Sequence, residues 1–436
     1  MTLLSASAGD GREPEHYVIA DPLIYVRAVH IGATLLACGT AAFLVLVAEP
    51  AGSKIQTDLA GLRRQLTVLI WIALAVAILS GAAWLVLLAS DILGASLADV
   101  CLHGGAWPVL FNTRFGLVWC VRLGLALLLA VLVIRPAMRS LLVAVAAVLL
   151  VLPALIGHAG ATPGLAGDVH LISDLAHLLA AGAWLGGLPA FVWLLWWTRR
   201  AGKPTWSEFA ADATSRFSMV GIFGVGVLLA SGLANSWFLL SGPRDLLTTD
   251  YGRLVALKIG LFAAMVGIAA VNRFYLTPRL RDTTAVRALQ RNSLAEVCLG
   301  LCVLLLVGML GTLPPAAHQH AAGAGIPPEA AFVHIHSPEA MADVMINPGH
   351  PGPAEITIRL MREDLSTFPA KDVRLALEPP ERTGQPLQQP AVEQADGSWV
   401  VNDILLTEPG IWTVRVFITP VRGDAVPLDG PIVIER

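Results

Sequence analysis

Long apolar runs alternate with short polar segments up to Leu313 and then stop abruptly. The runs cover about 23–48, 66–90, 115–134, 139–157, 170–197, 214–240, 252–276 and 292–313. Each approaches or exceeds the ~20 residues that a helix needs to cross a bilayer. The pattern predicts eight transmembrane helices over 23–313, preceded by a short segment at 1–22. From 314 to 328 the chain reads PPAAHQHAAGAGIPP, a Pro/Ala/Gly linker. Beyond it, FVHIHS, ADVMIN, AEITIRLM, DVRLALE, SWVVNDILL, IWTVRVFI and PIVIE are short, β-branched and separated by turn residues. About seven strands over 329–436 predict a small all-β immunoglobulin-like sandwich. The expected fold class is therefore an all-α polytopic membrane helix bundle followed by an all-β domain.

Charge orients the bundle. Lys54, Arg63 and Arg64 follow the first run, Arg135 and Arg139 the third, Arg199, Arg200 and Lys203 the fifth, and Arg279, Arg281, Arg287 and Arg291 the seventh. The positive-inside rule makes these four connections cytoplasmic and both termini, with the β-domain, extracytoplasmic. The opening MTLLSASAGDGREPEHYVIA lacks the basic start and apolar run of a cleavable signal, so the first span is expected to serve as an uncleaved anchor. With 56% hydrophobic and 14% charged residues among 436, the chain reads as an integral membrane protein in contact with the lipid bilayer. A net charge of -3 and the lack of a phosphate-binding glycine loop speak against a nucleic-acid partner or ATP-driven machinery. The five cysteines fall mostly in apolar runs, which does not describe a disulfide framework.

Against this topology the eleven histidines, His16, His30, His103, His158, His170, His177, His318, His320, His334, His336 and His350, all fall on or just inside the outer face. Imidazole is the commonest biological metal ligand, so a one-sided set points to metal handling there. In HLISDLAHLLAAGAWLGGL, His170, Asp174 and His177 recur at spacings of four and three, which places them on one helical face. His177 then lies roughly 10 Å below the surface, a depth at which an ionisable group usually faces the bundle interior. His30 sits at similar depth in the first span. His158, in GHAGATPG, and His103, in CLHGGAW, are positioned to form a funnel above them. In the β-domain, strand alternation puts His334 and His336 on one face, an HxH spacing able to chelate copper. Lys258 and Asn235 share the outer leaflet and are expected to meet, whereas Glu296 enters from the cytoplasmic side nearer to Asn272. These four are candidates for an ion path, with helix-packing glue as the plainer reading. A haem relay with axial pairs in both leaflets is weakened, because the inner leaflet holds no histidine.

Several segments together carry a resemblance: GHA at 157–159, DLAHLLAAGAWLGGL at 174–188, RFSMVGIFGVGVLLASGLANSW at 216–237, YGRLVALKIGLFAAMVGIAAVNR at 251–273 and NSLAEVCLGLCVLLLVGMLGTLPP at 292–315. Over about 157–315 the chain resembles the copper resistance protein D (CopD) family. The resemblance implies copper handling in a bacterial inner membrane, often beside a periplasmic copper carrier protein. Its motif histidines fall on His158 and His177, with His30 as the first-helix counterpart. No fused amino-terminal copper-carrier domain is evident in the sequence; instead the C-terminal sandwich resembles small extracytoplasmic domains of the YtkA or FixH type.

The expected function is copper transport and homeostasis: histidines capture a copper ion at the periplasmic face and the bundle passes it inward. The competing expectations are a haem-binding electron-transfer cytochrome and a copper sensor or assembly factor without transport. No nucleophile, base and orienter constellation stands out, so the chain is not expected to be an enzyme.

Overall fold

The computed structural model describes residues 21–93, 96–102, 104–156, 164–201, 204–313, 327, 329–336, 340–362, 367–380, 386–421 and 425–434. The chain divides into two compact units, Met1–Ala316 and Ala317–Arg436. Among the described residues the first unit contains eight helices long and apolar enough to span a membrane. They are α1 (Pro22–Ile55), α2 (Ala60–Asp91), α3 (Phe115–Leu132), α4 (Pro136–Ile156), α5 (Gly167–Ala201), α6 (Pro204–Leu239), α7 (Asp250–Arg279) and α8 (Thr283–Leu310).

The spans start where local chemistry satisfies the free N–H groups of a first turn. Asp21 accepts from Leu23 N at 2.8 Å, with Pro22 in the first turn of α1. Thr113 accepts from Gly116 N and Thr249 from Gly252 N, each at 3.0 Å, ahead of α3 and α7. Asp282 accepts from Thr284 N at 2.9 Å ahead of α8. Several helices outrun their apolar runs: α6 begins at Pro204, whereas the run begins at 214. Hydropathy marks only the stretch suited to hydrocarbon, and the helix continues into its polar flank. Short helices at Leu97–Leu102, Ala106–Asn112 and Asp245–Thr248, not foreseen from the sequence, occupy the connections that follow α2 and α6.

α1 is the axis of the bundle and packs against α2, α4, α5 and α8. In its most apolar window 67% of residues are buried in protein, against 6% for α7, whose apolar surface is left for lipid. α1 and α5 meet through glycines: a Cβ on Gly39 would overlap the backbone of Gly182 and Gly186, and one on Gly186 would overlap Leu35 O. Small residues of this kind let helix backbones touch where hydrophobic driving force between helices is absent. At the arginine-bearing end, Glu49 pairs with Arg63 at 3.2 Å and Arg139 at 2.9 Å, and Asp212 pairs with Lys54 at 2.5 Å and Arg216 at 2.7 Å. These pairs tie α1 to α2, α4 and α6.

The second unit is a sandwich of two antiparallel sheets. Its strands are β1 (Ala331–His336), β2 (Met341–Asn347), β3 (Gly352–Met361), β4 (Ala370–Glu378), β5 (Leu387–Pro390), β6 (Val392–Glu393), β7 (Trp399–Leu406), β8 (Gly410–Pro420) and β9 (Val426–Ile434). One sheet has the order β1-β2-β3-β7-β6 and the other β5-β4-β8-β9. Ile335, Val344, Ile358, Leu375, Trp412 and Val416 from both sheets fill a single core. The nine described strands exceed the seven expected, because β5 and β6 lie in the Pro- and Gln-rich PLQQPAVE, which carries no β-branched alternation. On β1, Ile335 lies in the core and Val333 packs against it, the two positions expected to face inward.

The glycine crossing gives a direct test. Gly39→Leu forces a side chain into backbone and should destabilise the bundle by at least the ~1–3 kcal/mol typical of overpacking. A lower midpoint of thermal unfolding in detergent checks this, with Gly226→Leu, a position that faces open space, expected to leave the midpoint near wild type.

Candidate functional site

The polar groups within the bundle form three clusters, each built from different helices. The first surrounds His30 on α1. Its Nδ1 lies 2.9 Å from Ala77 O and 3.3 Å from Ser80 Oγ, and Arg122 Nη2 donates to its Nε2 at 2.8 Å. These partners fix the tautomer: Nδ1 carries the proton and Nε2 is the acceptor. Arg122 Nη1 donates to Leu149 O at 2.9 Å, and Nη2 also reaches Thr34 Oγ1 at 3.4 Å. The imidazole stacks on Trp119 at 5.2 Å and meets Trp84 edge-on at 5.6 Å, while the guanidinium lies 5.2 Å from the Trp119 ring centroid. His30 and Arg122 are both buried, and among the described residues Arg122 has no carboxylate partner. His30 thus spends its only ring lone pair on a buried cation.

The second cluster lines α5 where it faces α6 and α7. His170, Asp174 and His177 share the α5 face read from the sequence. His170 is buried and stacks on Phe238 at 4.6 Å. Asp174 Oδ1 accepts from Asn235 Nδ2 at 3.4 Å and is the electrostatic neighbour of Lys258 and Tyr251 from α7. Ser231 Oγ donates to Val227 O at 2.6 Å, which leaves its oxygen to accept from His177 Nδ1 at 3.0 Å. His177 Nε2 makes no hydrogen bond to any described residue. Asn235 Oδ1 is buried and likewise lacks a partner among the described residues. The second cluster therefore offers an open imidazole lone pair, a carboxylate and an unsatisfied amide oxygen around one face, with Lys258 supplying the local positive charge.

The third cluster lies further along α7 and α8. Asn272 Nδ2 donates to Glu296 Oε2 at 3.0 Å, and Asn292 Nδ2 donates to Asn272 Oδ1 at 2.9 Å. Asn235 bonds Asp174 rather than Lys258, which has Asp174 only as its electrostatic neighbour, and Asn272 meets Glu296.

The structure does not join His30 to His177, which sequence depth had paired. Their hydrogen-bond and ring partners are entirely different. Among the described residues no three His, Cys, Asp or Glu side chains converge closely enough to hold a metal ion. His103 and His158 lie outside the described residues, as do His16, His318 and His320; of His334 and His336 only the β1 backbone is described, paired with Asp343 and Met341. Sequence reasoning passed over Arg122, although its signal was present: it is a lone charge deep in the apolar run FGLVWCVRLGLALLL.

A family model described as copper resistance protein D matches residues 211–310, and one described as copper resistance protein D-like, N-terminal domain, matches 18–168. Inner membrane protein YebZ of Escherichia coli (strain K12) is 34% identical over 229 residues, 51% of this chain and 77% of that protein. Copper resistance protein D of Pseudomonas syringae pv. tomato is 30% identical over 221 residues, 47% of this chain and 70% of its own length. Copper transport protein CutJ of Bacillus subtilis (strain 168) is 28% identical over 343 residues, 72% of this chain and 59% of its own.

The two histidines should differ in what their removal does to stability. His30→Ala strips a buried guanidinium of an acceptor, a loss of about 1–3 kcal/mol, and should lower the thermal midpoint of the purified protein clearly. His177→Ala, which leaves the Ser231–Val227 bond in place, should lower it less. Equal shifts would contradict the assignment of His30 to the packing of the bundle.

Proposed function

Because this chain belongs to the copper resistance protein D family, we propose that it moves copper inward across the membrane, with the ion as cargo rather than resident cofactor. It is a multi-pass inner membrane protein, and its relatives are named for copper resistance and copper transport rather than for catalysis. In this reading the α5 face receives the ion. The observation that carries it is the open Nε2 of His177 beside Asp174, deep in an apolar bundle where an uncommitted ionisable group is costly and marks an ion pathway. Imidazole nitrogen suits copper in either common oxidation state, and Asp174 supplies charge.

Lys258 completes the logic of that face. One carboxylate cannot fully serve two cations in a low-dielectric interior, so Lys258 holds Asp174 while the site is empty and is displaced when copper arrives. His170 sits four residues before Asp174 on the same face and extends the donor set toward the mouth, to which the sequence pattern assigns His158 and His103. The β-domain, with His334 and His336 on β1, gathers the ion or receives it from a periplasmic carrier. His30 takes a different part from the one its depth implied. Bound to Arg122, it braces α1 against α2, α3 and α4 and leaves coordination to α5. Asn235 Oδ1, one turn nearer the outer face on α6 than Ser231, gives an ion approaching His177 a further oxygen.

Copper accumulation by cells making each variant tests the proposal. His177→Ala should reduce uptake about tenfold or more, on the scale of lost metal ligation, and Asp174→Asn should reduce it as well. His30→Ala, normalised to folded protein in the membrane, should retain uptake. Undiminished accumulation by His177→Ala would remove the α5 face from the ion path.

A further inference from the structure

Beyond the His177 level the bundle holds a second, partly open pocket. A cavity of about 230 Å³ lies among α5, α6, α7 and α8, bordered by Trp184, Phe217, Ser218, Asn272, Arg273 and Glu296. Of the α5 residues that border it, Trp184 is the nearest in sequence to His177. Its side chain lies over Gly221 and Gly224 of α6, with a Cβ on Gly224 coming to 3.2 Å from Trp184 Cβ, and its ring meets Phe262 of α7 edge-on at 6.2 Å. His177 stands two helical turns before Trp184, roughly 10 Å away along the axis at 1.5 Å per residue.

Glu296 is 2% exposed and borders this cavity. Its Oε2 accepts from Asn272, which is itself oriented by Asn292, whereas its Oε1 makes no hydrogen bond to any described residue. A π-turn at Asn272–Leu276 in α7 carries both Asn272 and Arg273, a helix distortion frequent at functional sites. The charged groups around the cavity are few. α5 and α6 contribute no titratable group to its wall, α7 contributes Arg273, which forms no ion pair with Glu296, and α8 contributes Glu296 itself. The wall bears no imidazole and no thiol. Its carboxyl, amide and hydroxyl oxygens are hard donors, poorly matched to a soft copper ion. A buried carboxylate without a cationic partner neutralises itself by taking a proton.

We propose that Glu296 is a proton-carrying site, distinct from the copper-binding face, whose loading and unloading drives copper movement through α5–α8. The coupling rests on the transport reading; the proton site does not. The step is a simple transfer: the carboxylate takes one proton from hydronium on the more acidic side of the membrane, leaving water and the neutral acid, and releases it to water on the other side. Asn272 holds Oε2 as acceptor in both forms, which directs the proton to Oε1 on the cavity side.

Two measurements on the full-length protein test this. In infrared difference spectra of the purified protein between acid and alkaline pH, the carbonyl band of a protonated buried carboxyl should lose a component in Glu296→Gln and keep that component in Asp174→Asn. An unchanged spectrum in Glu296→Gln overturns the proposal. In proteoliposomes, an imposed pH gradient should stimulate copper uptake by the wild type; Glu296→Gln should lose the stimulation and Glu296→Asp recover part of it. Stimulation that survives in a Glu296→Gln protein eluting as wild type, or that follows a sodium gradient instead of pH, overturns the coupling. Should the wild type show the Glu296 band but no copper flux under any gradient, the transport reading fails while the proton site stands.

Discussion

A charge inside an apolar helix bundle must be met by another polar group, and this one requirement sorts the interior of the protein. Arg122 is met by an imidazole and a carbonyl and Glu296 by an amide, while Lys258 has Asp174 as its electrostatic neighbour. The three solutions differ in what they leave over. The first leaves nothing, because His30 Nε2 is consumed. The second leaves His177 Nε2 and Asn235 Oδ1 open, and the third leaves one carboxylate oxygen facing a cavity. Residual valence of this kind, rather than the mere presence of histidine, separates a side chain that can take a ligand from one that holds helices together.

Close packing sets where these clusters stand. The Gly39–Gly186 crossing brings α1 against α5, so the His30 cluster on one side and the His177 cluster on the other are held by a shared, nearly rigid axis. On α6, Gly221 and Gly224 admit the indole of Trp184, an aromatic ring that borders the Glu296 cavity two helical turns beyond His177 on α5. Small residues thus do two jobs in this bundle: they allow helices to touch, and they seat the ring that borders the cavity. The β-domain follows a separate logic, with alternating burial on two antiparallel sheets around Trp412.

The sequence made the architecture readable because spanning helices and sandwich strands each carry a strong periodic signature. Local relations were also legible. The spacing of His170, Asp174 and His177 defined the α5 face, and comparison of depth brought Asn272 near Glu296. What depth could not supply was lateral pairing. His30 and His177 read as lying at similar depth, yet His30 is claimed by Arg122, 92 residues away in sequence, and nothing in a one-dimensional pattern says which neighbour a helix will present. The small strands β5 and β6 escaped for another reason: they are held by pairing with β4 and β7, not by their own composition.

The central claim is that copper meets His177 and not His30. X-ray absorption spectra of the copper-loaded protein address it at the ligands themselves. The account predicts imidazole scattering around copper that persists in His30→Ala and is lost or halved in His177→Ala. Persistence in His177→Ala with loss in His30→Ala would contradict it.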